Sequence, residues 1–230
     1  MLTEVTSKPA AASSWIPGPS LPLPAGDQTP HPTPLLSPRT TAAVLHTVLS
    51  TTAEDGQADV EAITRLWARG EPIRSLPRKP RQTLRFGVQV LVDLGEAMQL
   101  FARDQRELVG QIRSVAGLES TSVEYFADIP TRGSGPGGRR TWRDYTTPSR
   151  GSRILILSDF GIGGPAFHDR RGKPAEWLSF LNKVRREGCS PVGLVPYPPS
   201  RRPAWLTSSL PLVLWDRSTT VGRAAASVRR

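Results

Sequence analysis

The 230-residue chain is 37% hydrophobic, with 23 prolines and a formal net charge of +10. This composition supports one sizeable folded domain with non-globular flanks. The charge favours acidic partners without choosing among nucleic acid, protein and anionic lipid. A single cysteine, Cys189, excludes an internal disulfide and a cysteine zinc cluster, and His31, His46 and His168 have no metal-ligand spacing.

The first residues lack a basic segment followed by an apolar run, and no stretch approaches the roughly 20 apolar residues of a membrane span. A cytoplasmic protein without a membrane partner is expected. Residues 1–40 are rich in Pro, Ser and Thr; proline removes backbone donors and fixes φ, so a disordered tail is expected there. Residues 41–83 read as a short helical extension and a basic linker. Residues 41–50 are apolar enough for a helix. "DVEAITRLWARG" puts Val60, Ile63 and Trp67 at helical spacing, with Asp59 to cap its start and Gly70 its end. So short an amphipathic helix needs a surface to dock on.

The core is expected over residues 84–216. "GVQVLVD" is a nearly continuous apolar run, as suits a central strand covered on both faces. Met98, Phe101, Leu108, Ile112 and Val115 then share one helical face, stopped by Gly117. "SVEYFAD" is a second strand, and "RRTWRDY" is read as an antiparallel return strand. "RILILSD" is the next buried strand. In "KPAEWLSFLNKVRREG", Pro174 opens a helix whose apolar face is Trp177, Leu181 and Val184. "SPVGLVPY" and "LPLVLWD" are the last strands, and residues 217–230 are expected to be a loose basic tail. Strands alternating with helices predict a three-layer, Rossmann-like α/β fold with a mainly parallel sheet flanked by helices.

In such a sheet, ligands bind beyond the carboxyl ends of the strands where strand order reverses. Asp93, Asp128, Asp159 and Asp216 all fall at or just after strands. Asp93 and Asp159 would flank the switch point if their strands are neighbours, where two carboxylates could hold a hard divalent cation. Each acid also suits a turn or helix cap.

These residues carry a resemblance. "VQVLVDLGEAM", the amphipathic helix after it, "VEYFAD" and "RILILSDFGIGG" together resemble a von Willebrand factor A domain, of the intracellular bacterial type, over roughly residues 84–216. In that family an Asp-x-Ser-x-Ser loop, a Thr and a second Asp surround Mg²⁺. The resemblance places Asp93 and Asp159 at the two Asp positions. The two Ser positions hold Gly95 and Ala97, and Thr146 and Thr147 are the nearest candidates for the Thr. A degenerate site that binds Mg²⁺ weakly at most, with no other cofactor, is therefore expected. Glu96 either supplies a compensating oxygen or sits in the first helical turn, where its charge suits the dipole.

The interaction face is expected to comprise Glu96, Asp128, Tyr197, Arg201, Arg202 and Trp205. The segment "VPYPPSRRPAW" combines the residue types that dominate binding hot spots, though it also reads as a crossover loop with Trp205 in the core. A basic patch is expected from Arg139, Arg140, Arg143, Arg170, Arg171 and Lys173, with Trp142 and Tyr145 beside its first part. "DFGIGG" lacks the spacing of a dinucleotide fingerprint and the ending of a P-loop. Cys189 has no histidine near it in sequence and reads as a buried strand-start residue.

No catalytic residue is assigned. The leading expectation is a non-enzymatic protein-binding adaptor or scaffold. The resemblance implies a partner such as a MoxR-type or related ATPase, in a bacterial chaperone-like or defence-type system. The alternatives are a metal-dependent phosphoesterase or nuclease using Asp93, Asp128 and Asp159, and a basic nucleic-acid-binding module.

Overall fold

A computed structural model describes residues 33–164 and 170–229. The expected disordered tail lies outside the described residues up to position 32, as do His31 and His168. The remaining residues of that segment lead into the first helix, and Leu36 is buried in the core.

In chain order the elements are α1 (Thr41–Leu49), β1 (Thr51–Ala53), α2 (Val60–Ala68), β2 (Arg81–Thr83), β3 (Val88–Asp93), α3 (Ala102–Ala116), β4 (Thr121–Phe126), β5 (Ser134–Gly135), β6 (Arg153–Leu157), α4 (Pro174–Arg186), β7 (Ser190–Val195), α5 (Ala204–Ser209), β8 (Leu212–Leu214) and α6 (Val221–Val228). Six strands form one sheet in the order β5-β4-β3-β6-β7-β8, parallel throughout except for β5.

The central strands β3, β6 and β7 are buried on both faces, and their alternation builds two cores. Val90, Val92, Leu155, Leu157, Val192 and Leu194 point to the layer of α1, α3 and α6. Leu91, Ile154, Ile156 and Val195 point to the layer of α4 and α5, where Trp177 stacks on Phe160 with ring centroids 4.7 Å apart. The result is the expected three-layer, Rossmann-like arrangement. After β3 the chain builds outward to β4 and β5, then crosses to β6 on the other side of β3. The reversal therefore falls between β3 and β6, at the ends that carry Asp93 and Asp159.

Several elements differ from expectation. The antiparallel return strand is Ser134–Gly135, upstream of the "RRTWRDY" segment expected to form it. "RRT" forms a 3-10 turn, and Arg143 makes only an isolated bridge to Ser134. A 3-10 turn over Glu96–Phe101 precedes α3, so the helix starts a turn late. The basic linker contains β2, which pairs antiparallel with β1. Residues 51–83 thus leave and rejoin the domain through a two-stranded ribbon. At its far end sits α2, capped by Asp59, whose carboxylate accepts from the Ala62 N–H at 3.1 Å. α2 buries no residue, and Trp67 is 76% exposed.

The C-terminal segment is a packed helix, not a loose tail. Thr220 caps α6, and Ala224 is fully buried beside Val44, Leu45 and Trp215. Its Val-x-x-Ala-Ala-x-x-Val spacing is helical, but small alanines in a basic segment gave little sign of burial. α1 and α6 therefore belong to the domain, which extends beyond residues 84–216 at both ends. No described helix is long and apolar enough to cross a membrane.

Candidate functional site

The site grows from the ends of two neighbouring strands. β3 and β6 run in register, with Val92 opposite Leu157, so Asp93 and the Ser158–Asp159 pair emerge side by side. Both aspartates are buried. Asp93 Oδ1 accepts from the Gly95 N–H at 2.8 Å, and Oδ2 accepts from the Ser158 hydroxyl at 2.6 Å. Ser158 Oγ accepts in turn from the Phe160 N–H at 2.9 Å, which directs the hydroxyl hydrogen to Asp93. Asp159 closes its own loop: Oδ1 accepts from the Gly161 N–H at 3.0 Å and Oδ2 from the Gly163 N–H at 2.7 Å.

Burial pushes the Asp93 carboxyl up from 3.8 to about 7. The Ser158 and Gly95 hydrogen bonds oppose that rise, and the charge of Asp159 adds to it. The loops just beyond β4 and β6 are also unusual. Asp128 and Phe160 adopt left-handed backbone conformations, with φ of 65° and 53°. Such positions are costly for non-glycine residues and gather at functional loops.

Asp93, Glu96, Asp128 and Asp159 line one small pocket of about 40 Å³, room for a few water molecules. Arg171 lines it too. A Cβ on Gly161, whose φ is +77°, would stand 2.6 Å from Arg171 Nε, so the guanidinium lies directly over the Asp159 loop.

The donor set fits Mg²⁺ poorly. Gly95 and Ala97 carry no side-chain oxygen, and the carboxylate oxygens of Asp93 and Asp159 already accept from their own loops. A guanidinium shares the pocket and repels a cation. Among the described residues, no cluster of three or more His, Cys, Asp or Glu side chains has metal-binding geometry. Thr146 and Thr147 do not complete the shell. The Thr146 carbonyl accepts from Gln89 Nε2 at 3.4 Å, near the start of β3 and away from Asp93. Asp216 stays apart as well, accepting from the Ser218 N–H at 2.6 Å in a local turn.

The expected interaction face is partly assembled. Tyr197 packs edge-on against Phe101 at 6.3 Å, and its hydroxyl occupies the space that a Cβ on Gly163 would need. Arg201 stacks over Tyr197 at 4.6 Å. The Tyr197–Arg201 pair therefore adjoins the Asp159 loop. Arg202 turns inward to the Tyr197 and Leu212 carbonyls, and Trp205 packs against the α4–α5 core. These two residues serve the crossover loop.

The basic patch divides. Arg139, Arg143 and Arg170 line a groove of about 580 Å³ with Trp142 and Asp144. Arg132 lines it as well, but is held by Glu176 through two 2.8 Å hydrogen bonds. Arg171 faces the acidic pocket instead, while Arg140 and Lys173 are exposed and line neither.

Sequence reasoning missed Ser158, which is fully buried and holds Asp93. The "SD" after a buried strand was the available signal. It also missed the exposure of Leu94 (40%), between Asp93 and Gly95, and of Leu100 (84%) in the 3-10 turn that follows.

No family model matches the chain, and no curated protein matches it. Among solved structures it is similar to the hypoxanthine-guanine phosphoribosyl transferase of L. donovani. The identity is 13%, over 77% of this chain and 78% of that one, with a TM-score of 0.28. A likeness at that level carries no argument about function.

Proposed function

We propose that the chain is a non-enzymatic protein-binding adaptor, whose von Willebrand A-like domain meets its partner through the face at the carboxyl ends of β3, β4 and β6. The observation that carries this reading is how the acids are used. Asp93 and Asp159 clamp their own loops through backbone N–H groups and Ser158, which gives the face a fixed shape. Around them Leu94, Leu100 and the Tyr197–Arg201 stack offer apolar and aromatic contact area. The sheet order, with its antiparallel β5 at the edge, supports the family resemblance. Tight Mg²⁺ binding is not part of this reading. The setting is cytoplasmic, and the partner class that the resemblance supplies is a MoxR-type or related ATPase.

The test compares the full chain with a Leu100→Asp, Tyr197→Ala double variant in affinity purification. A stoichiometric protein should accompany the first and be lost from the second, with no heat from sub-millimolar Mg²⁺. Divalent-dependent phosphoester cleavage abolished by Asp93→Asn would overturn the reading. So would recovery of nucleic acid alone, with steep salt dependence.

A further inference from the structure

A cleft of about 690 Å³ opens where β6 and β7 begin, away from the acidic pocket. Three arginines line it, Arg153, Arg185 and Arg202, together with Ser190, Thr207 and Ser208. No acidic side chain among the described residues does so.

Arg153 is the anomaly. It opens β6 and is buried, yet it forms no ion pair with any described residue. Its guanidinium meets only backbone carbonyls, those of Ser50 and, at 3.5 Å, Ser190. Its Nε is buried with no partner. Burial lowers its pKa to about 10, so it stays charged at neutral pH. Arg202 repeats the pattern. Its Nε and Nη1 donate to carbonyls, while Nη2 is buried without a partner.

Buried charges are normally paired, because an unpaired one keeps its desolvation cost. Two arginines that each keep an unpartnered buried donor line one cleft whose charged residues are all cations, and together they mark the place of an anion. A dianion suits three arginines better than a single carboxylate does, and the guanidinium fork matches phosphoryl oxygens. The volume is that of a small-molecule site.

We propose that this cleft binds a phosphate-bearing small molecule, anchored on Arg153 and held by Arg185 and Arg202. The proposal is independent of the protein-binding face.

Calorimetry on the full chain, at fixed ionic strength, would titrate inorganic phosphate and, separately, acetate. Phosphate should bind with Kd below about 1 mM, and acetate at least about tenfold more weakly. Arg185→Gln and Arg202→Gln should each weaken phosphate about tenfold or more. Arg139→Gln, in the other basic groove, should leave it unchanged. Arg153→Met should abolish binding; should that variant fail to fold, the exposed Arg185 still decides. Equal binding of both anions, no heat from either, or a loss confined to Arg139→Gln would overturn the proposal.

Discussion

Ser158 donates its hydroxyl to the Asp93 carboxylate at 2.6 Å, across the junction of β3 and β6 where the strand order reverses. The bond ties the two loops of the candidate face to each other at their base. Because the Phe160 N–H occupies one Ser158 lone pair, the hydroxyl hydrogen is committed to Asp93. Removing the hydroxyl by Ser158→Ala strands both groups. A loss of about 1–3 kcal/mol is expected, greater at pH 8 than at pH 5, because an ionised carboxylate loses more than a protonated one. Urea unfolding at the two pH values checks this, and an equal loss at both would count against the charged pairing.

Asp93 also makes stability depend on pH. Its carboxyl rises from 3.8 unfolded to about 7 folded, so between those values the folded chain holds a proton that the unfolded chain has released. Stability from this group is therefore full below about pH 4 and falls as pH rises to about 7, by up to about 4 kcal/mol. Asp93→Asn removes the titration. Relative to wild type, the variant should gain about 2 kcal/mol or more between pH 5 and pH 7. Parallel stability profiles for the two proteins would show that Asp93 does not titrate in that window.

Adding hydroxyls at positions 95 and 97, where the von Willebrand A resemblance calls for Ser, should not create a Mg²⁺ site. A Cβ at Gly95 would stand 2.9 Å from Asp93 Oδ1, the oxygen that the Gly95 N–H holds. Gly95→Ser must push that carboxylate aside, at a cost of about 1–3 kcal/mol from overpacking. The Gly95→Ser, Ala97→Ser double variant should give no calorimetric signal with sub-millimolar Mg²⁺. Binding in that variant would mean that two hydroxyls are all the pocket lacks as a Mg²⁺ site.

The central sheet was legible because its strands are apolar on both faces, which few other contexts tolerate. Asp93 and Asp159 could be placed together for the same reason, once β3 and β6 were taken as neighbours. β5 was misplaced because its two residues, Ser134 and Gly135, have no strand propensity and pair only through backbone register with Tyr125 and Phe126. The ribbon of β1 and β2 is equally silent, since its polar side chains are set by pairing across the chain. Arg171 could not be assigned to the acidic pocket, because side-chain direction decides between it and the groove that Arg170 lines.

α6 gives a test of the domain boundary. Ala224 is fully buried in the apolar cluster that holds Val44, Leu45 and Trp215. Ala224→Glu should cost about 3 kcal/mol or more by burying an unpaired carboxylate. A chain cut after Asp216 should lose thermal stability by exposing the same apolar surface. Unchanged melting of both proteins would restore the view of residues 217–230 as a tail.

Two tryptophans separate packing from presentation. Trp177 is fully buried between Phe126, Phe160 and Phe180, and Trp177→Ala should cost about 3–5 kcal/mol. Trp67 stands on α2 at 76% exposure, and Trp67→Ala should change stability by no more than about 0.5 kcal/mol. Within an intact domain, α2 gains nothing by holding Val60 and Trp67 in water. If Trp67→Ala destabilised the chain by more than about 1 kcal/mol, α2 would have to pack in solution on a surface it does not touch in this arrangement. Denaturant titration followed by far-UV circular dichroism reads both variants on one scale, and the sign of that comparison fixes whether α2 belongs to the fold or only rides on its ribbon.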